Sequence, residues 1–196
     1  MECHGASVDS RRCRFENICL RPDTGDYFVV HGPDTELHGV PADRFNPALL
    51  TLSSVQNHNA MHMTFTDLPA AALASITGIH VVEDPVFVLK RFKPNNVMHV
   101  LHDDIFPLHH TLHGLGVLPA PSSENATARS GVALVFTDGW GPQTGANNLE
   151  WLYEAFSSHL PLFDRSIPDS VSMVCFRDAH LGLSKASTWY DYGTCT

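Results

Sequence analysis

The chain has 196 residues, 43% hydrophobic and 17% charged, enough apolar content for a packed core and too much for a mainly disordered chain. Twelve Lys and Arg against 21 Asp and Glu give a formal charge of −9, which argues against a nucleic-acid backbone or an anionic membrane surface as the main partner but leaves a nucleotide open. No apolar run approaches the ~18 residues of a membrane span, and the opening MECHGASVDSRRCR has no apolar signal-peptide core.

The first 25 residues read as a loop-rich, Cys-bearing lead-in. Cys3, Cys13 and Cys19 crowd into a segment too polar to hold itself together. At least one disulfide is expected between two of these three. With Cys175 they can pair in three ways, and Cys195 is then left over. No close C-x-x-C pair is present, which disfavours zinc at these cysteines. Asn125-Ala126-Thr127 is an N-glycosylation sequon in a Pro- and Ser-rich stretch, and with the cysteines it points to a lumenal or secreted protein.

Tyr27–His31 reads as a short strand closed by Gly32-Pro33. Asp67, Pro69 and the Ala-rich run after them predict a short helix that ends at Gly78. Val86–Phe92 is apolar at its start, as a buried strand should be. After Pro94-Asn95-Asn96 a helix is predicted from about Val97 towards Leu112. Residues 114–131 read as an exposed loop. Val132–Phe136 is the next strand, followed by the glycine-rich GWGPQTGANN, which matches no phosphate-binding pattern and reads as a surface loop. An amphipathic helix is predicted over Leu149–His159 and a third strand over Val171–Phe176. Strands alternating with helices at this spacing predict an α/β fold whose three buried strands are parallel neighbours.

The chemistry concentrates between Arg91 and Gly114. On a helical wheel Val97, Leu101, Ile105, Leu108 and Leu112 share one face, while His99, His102, Asp103, His110 and His113 fall broadly opposite. Five of the 13 histidines lie between His99 and His113. The group His99, His102, Asp103 and Asp104 begins just past a strand's C-terminal end, where open α/β sheets hold ligands. A His or Asp there suits proton transfer from an acceptor hydroxyl. His99, His102 and Asp103 also have a spacing that could hold zinc. Pro107 denies the Asp103 carbonyl its helical hydrogen bond.

The block RFKPNNVMHVLHDDIFPL resembles the hallmark block of glycosyltransferase family 61. RFNPALLTLSSVQNHNAMHMTFTDLPAAAL, VSMVCFRDAHLGLSKASTWYDYG and the spacing of Cys3, Cys13 and Cys19 extend the likeness along almost the whole chain. The resemblance implies an inverting transferase of the endoplasmic reticulum. Its donor would be UDP-GlcNAc, a substrate and not a resident cofactor. Its acceptor would be O-linked mannose on a protein of α-dystroglycan type. The implied fold is a Rossmann-like parallel sheet, the N-terminal half of a GT-B type enzyme with the donor held between two such domains, followed by a fibronectin type III module. On this reading residues 1–25 precede the first Rossmann-like domain, residues 26–196. The second domain, the fibronectin module and the family's membrane anchor have no counterpart in the sequence, so negligible transfer by these 196 residues alone is expected.

The family's block carries over Arg91, Asn96, His99, His102, Asp103 and Asp104 as one cleft-facing group. Asn96 is expected to contact the donor, and Asp103 or His102 to act as base. A non-catalytic lumenal binding protein and a zinc module are the rival readings.

Overall fold

The structure, a computed structural model, describes residues 1–6, 10–31, 50, 52–55, 65–118, 131–145, 148–157 and 159–185. The sequon at Asn125 and Cys195 lie outside the described residues.

Nine strands among the described residues form one sheet: β1 (Glu2–His4), β2 (Arg12–Arg21), β3 (Asp26–His31), β4 (Phe65–Pro69), β5 (Ile79–Val82), β6 (Val86–Leu89), β7 (Ala133–Phe136), β8 (Leu162–Phe163) and β9 (Met173–Leu181). The order is β4-β3-β2-β9-β6-β7-β8, with β1 beside β2 and β5 alongside β9. The β3–β4, β5–β9, β6–β9, β6–β7 and β7–β8 ladders are parallel. The ladders of β2 with β1, β3 and β9 are antiparallel. The sheet is therefore mixed and largely parallel, an α/β arrangement.

The three predicted strands do share this sheet, parallel, with β6 in the middle. Val86 pairs with Ala133 on one side and Ala179 on the other. The third strand is longer than predicted. Its first half, Met173–Phe176, pairs with β5, so β6 meets only Ala179–Leu181. Arg177 and Asp178, expected past a strand end, lie inside β9.

The loop-rich lead-in is a correction. Residues 2–4 and 12–21 are β1 and β2, and β2 lies at the heart of the sheet. Cys13 and Phe15 point inward while Arg14 and Glu16 point out, a strand alternation that the surrounding charge obscured. The expected disulfide within the first three cysteines is present as Cys3–Cys13, and Cys19–Cys175 clamps β2 to β9. Both join residues directly opposite one another in their ladders.

Every residue of β6 is buried, as both faces of the sheet are covered there. Val86 and Val88 pack with Ile18, Leu20, Tyr27, Val174 and Phe176. Phe87 and Leu89 face the other way, onto Val100, Ile105, Leu108 and Leu112. Burying each such side chain contributes about 1.5–3 kcal/mol. This second face fixes the helix that follows β6.

Two predicted helices shrink. The Ala-rich one is α1 (Ala70–Leu73), with Pro69 at its N-cap, and Asp67 belongs to β4. The predicted helix over Leu149–His159 is a 3-10 helix over Glu150–Ala155. Phe156 N–H closes onto the Tyr153 carbonyl at 3.0 Å, three residues back. The Glu150 carboxylate is drawn out to accept from Gln143 N–H at 2.6 Å, away from any helix-surface pairing.

Candidate functional site

The helix after β6 runs from Val97 to Gly114 in three parts: α2 (Val97–His99), a π-helical turn (Val100–Ile105) and α3 (Phe106–Gly114). Asn96 starts it: its side-chain oxygen accepts from Met98 N–H at 3.0 Å and His99 N–H at 3.4 Å. In the π turn Phe106 N–H reaches the Leu101 carbonyl, five residues back. The carbonyl of Asp103, which Pro107 cannot serve, accepts instead from the Ser54 hydroxyl.

The π turn rotates the helix away from the regular wheel. Ile105, Leu108 and Leu112 pack inward as predicted, but Val97 is exposed, Leu101 is half-buried and Val100 takes the inward position. Asp103, expected on the polar face, is buried, and so is Asp104. The wheel assumed one period throughout, and the wider turn breaks it.

The named site residues separate into three groups. The first is His99 and Asp103. Nδ1 of His99 lies 2.7 Å from Oδ2 of Asp103, with the His side chain 25% exposed and the Asp side chain 7%. A carboxylate only accepts, so Nδ1 carries the hydrogen and the lone pair of Nε2 is left available. Phe92 packs edge-on against the imidazole, 4.9 Å between centroids. His102, one turn along, is half-buried with its ring stacked on Phe106 at 6.0 Å.

The second group is Asp104 and Tyr153, both buried, with the phenol donating to Asp104 at 2.6 Å. Burial pushes the Asp104 carboxyl well above its usual range, against the pull of the Tyr153 hydrogen bond. Burial, with Asp104 alongside, also raises the Tyr153 phenol.

Arg91 anchors the third group and is fully buried, so it does not share an open surface with His99 or Asn96. Its Nε and Nη2 donate to the Asp138 carboxylate at 2.7 and 3.0 Å, and Nη2 also donates to the Gly141 carbonyl at 2.9 Å. Glu150 approaches Nη1 to 3.5 Å. The guanidinium lies over Phe136 and Phe163, at 4.4 and 5.0 Å from their ring centroids. Burial lowers the Arg91 pKa, but the hydrogen bonds and charge of Asp138 outweigh it and hold the group above its ordinary value.

The expected single concave surface is thus divided. The structure joins His99 to Asp103 and leaves Asn96 exposed at the helix start, but it places Arg91 and Asp104 beneath them. Asp138, Glu150 and Tyr153 were not read from the sequence as members of this region. Asp138 had one signal, an acid two residues beyond a buried strand, but only the β6–β7 pairing shows that it meets Arg91. Among the described residues no group of three or more His, Cys, Asp and Glu side chains could hold a metal ion, which removes support from the zinc reading.

The sheet is thus mixed and largely parallel, with an oriented His99–Asp103 pair on the helix that leaves β6. The chain is similar to proteins named as glycosyltransferases. It is 36% identical over 194 residues to "Protein O-linked-mannose beta-1,4-N-acetylglucosaminyltransferase 2" of Danio rerio and, equally, to the proteins of that name from Mus musculus and Homo sapiens. Each match covers 98% of this chain and 31% of the relative, so the chain spans about a third of the length of the curated relatives it matches. No family model matches the chain.

Proposed function

We propose that these residues form one wall of the active site of an inverting glycosyltransferase that moves N-acetylglucosamine from UDP-GlcNAc to O-linked mannose on a protein. The observation that carries it is the 2.7 Å His99–Asp103 contact at the strand-end helix. Asp103 holds the imidazole in one tautomer and one orientation. Nε2 of His99 then takes the proton of the attacking mannose hydroxyl. As that oxygen bonds to the anomeric carbon, the bond to UDP breaks and UDP leaves with the electron pair, inverting the centre. Asn96 spends its carbonyl oxygen on the helix cap and keeps its amide N–H groups for the donor. The GT-B arrangement follows from the same reading, with a second domain supplying the opposite wall. The two disulfides support an oxidising compartment such as the endoplasmic reticulum lumen.

The test is a chimera in which these 196 residues replace the matching segment of the human relative, assayed for transfer from UDP-GlcNAc to an O-mannosyl peptide. His99→Ala is expected to lower turnover by about 10²–10⁴-fold. Asp103→Asn should lower it through the imidazole. Wild-type turnover in both variants, with a loss in His102→Ala, would move the base to His102; wild-type turnover in all three would end the acid–base proposal.

A further inference from the structure

Trp140 is 48% exposed, an unusual setting for an indole, and it sits on a loop that is fixed in place. The loop leaves β7 at Asp138, and Arg91 grips the Asp138 carboxylate through its side chain and through its own backbone N–H at 3.0 Å. Gly139 N–H donates to Asp164 at 3.0 Å, and Trp140 N–H donates back to Asp138 Oδ1 at 3.0 Å. Gly141 is held through its carbonyl by Arg91. Gly139 and Gly141 both take left-handed φ, +74° and +71°, so the chain bends on either side of Trp140 and the indole is carried outward. Four consecutive residues are thus tied to charged side chains, the buried Arg91 and Asp138 and the half-buried Asp164, and the one large apolar side chain among them faces solvent.

The placement adds a second constraint. β6 and β7 are parallel neighbours, with Leu89 opposite Phe136. Their C-terminal ends give rise to the His99 helix on one side and the Trp140 loop on the other. Both groups therefore issue from the sheet edge at which α/β folds hold small ligands.

We infer that Trp140 is a stacking platform for the pyranose ring of a sugar substrate, an inference that rests on the transferase reading above. One face of a hexopyranose presents a patch of C–H groups, with its hydroxyls directed outward. A flat indole matches that patch, and its N–H adds a polar handle. A platform that is already rigid loses no conformational freedom when the sugar arrives. The ring is either the acceptor mannose or the donor GlcNAc, and their shared chemistry is the apolar pyranose face.

The experiment titrates the 196-residue chain with an α-mannosyl-threonine peptide, with UDP-GlcNAc and with UDP, following binding by NMR. Trp140→Ala should weaken binding of one of the two sugar-bearing probes by about tenfold or more, the scale of losing an aromatic anchor. The probe that weakens identifies the ring. Trp140→Phe should recover part of the loss, and affinity for UDP should not change. Trp151→Ala is the control, since that indole is 62% exposed and lies outside the strapped loop. Equal loss in Trp151→Ala, unchanged affinities in Trp140→Ala, or no binding of either sugar-bearing probe to the wild-type chain would overturn the inference. A chain that binds the mannosyl peptide through Trp140, in a chimera that transfers nothing, would overturn the transferase reading and leave the platform standing.

Discussion

Arg91 shows how a residue can be central to a site without touching solvent. Its charge is compensated by Asp138, whose side chain is 1% exposed. Removing the guanidinium would leave that carboxylate buried and unpaired. Arg91→Ala is therefore expected to cost about 3–5 kcal/mol, read from chemical-denaturation midpoints. Arg91→Lys should recover only part, because an ammonium cannot make the paired contacts of the planar fork. Asp104 behaves differently. Its carboxyl is raised by burial, so the folded state favours the protonated form. The stability this contributes is complete below the unfolded carboxyl value of about 4 and falls as pH rises from there through the folded value. Asp104→Asn should flatten that decline, and superimposable stability–pH curves for the two proteins would contradict the assignment.

At the scale of elements, the helix after β6 is the informative case. Pro107 and the π turn act together, and Ser54 serves the carbonyl that Pro107 leaves unpaired. Ser54→Ala should cost about 1–3 kcal/mol, since the Asp103 carbonyl is then buried without its donor. In a Pro107→Ala background the new backbone N–H can serve that carbonyl, so the cost of Ser54→Ala should shrink. Additive effects in the double-mutant cycle would show that the two are independent. The period that predicted Ile105, Leu108 and Leu112 as the inward stripe was legible in the sequence. The burial of Val100 and Asp103 was not, because a π turn has no composition signal and arises where packing and Pro107 break the ladder.

For the whole molecule, β2 and β9 are the organising pair, and their clamp is covalent. Cys19 and Cys175 are 156 residues apart in sequence, whereas Cys3 and Cys13 are 10 apart. Loop-closure entropy then predicts a larger loss when the long-range bond is removed. Cys19→Ser with Cys175→Ser should destabilise the chain by about 2–5 kcal/mol, more than Cys3→Ser with Cys13→Ser. An equal or reversed order in denaturant titrations would show that something other than chain entropy dominates.

The sequence by itself determined the three buried parallel strands, the helix between the first two and the disulfide among the early cysteines. These depend on local patterns: continuous apolar runs, Asn96 before a helical period, and cysteines crowded in a polar segment. It also determined the family likeness, through the Arg91–Pro107 block. Tertiary structure alone decided that the charged segment Arg12–Arg21 is a central strand, because its partners, β3 and β9, must be present before its alternation has an inside. The same holds for the pairing of Arg91 with Asp138 and of Asp104 with Tyr153. Residues 47 and 49 positions apart meet only through the register of β6 with β7 and the turn that follows, whereas His99 and Asp103, four apart, meet along one helix. Periodicity assigns a side chain to a face, but the partner it finds there is fixed by the pairing of distant segments.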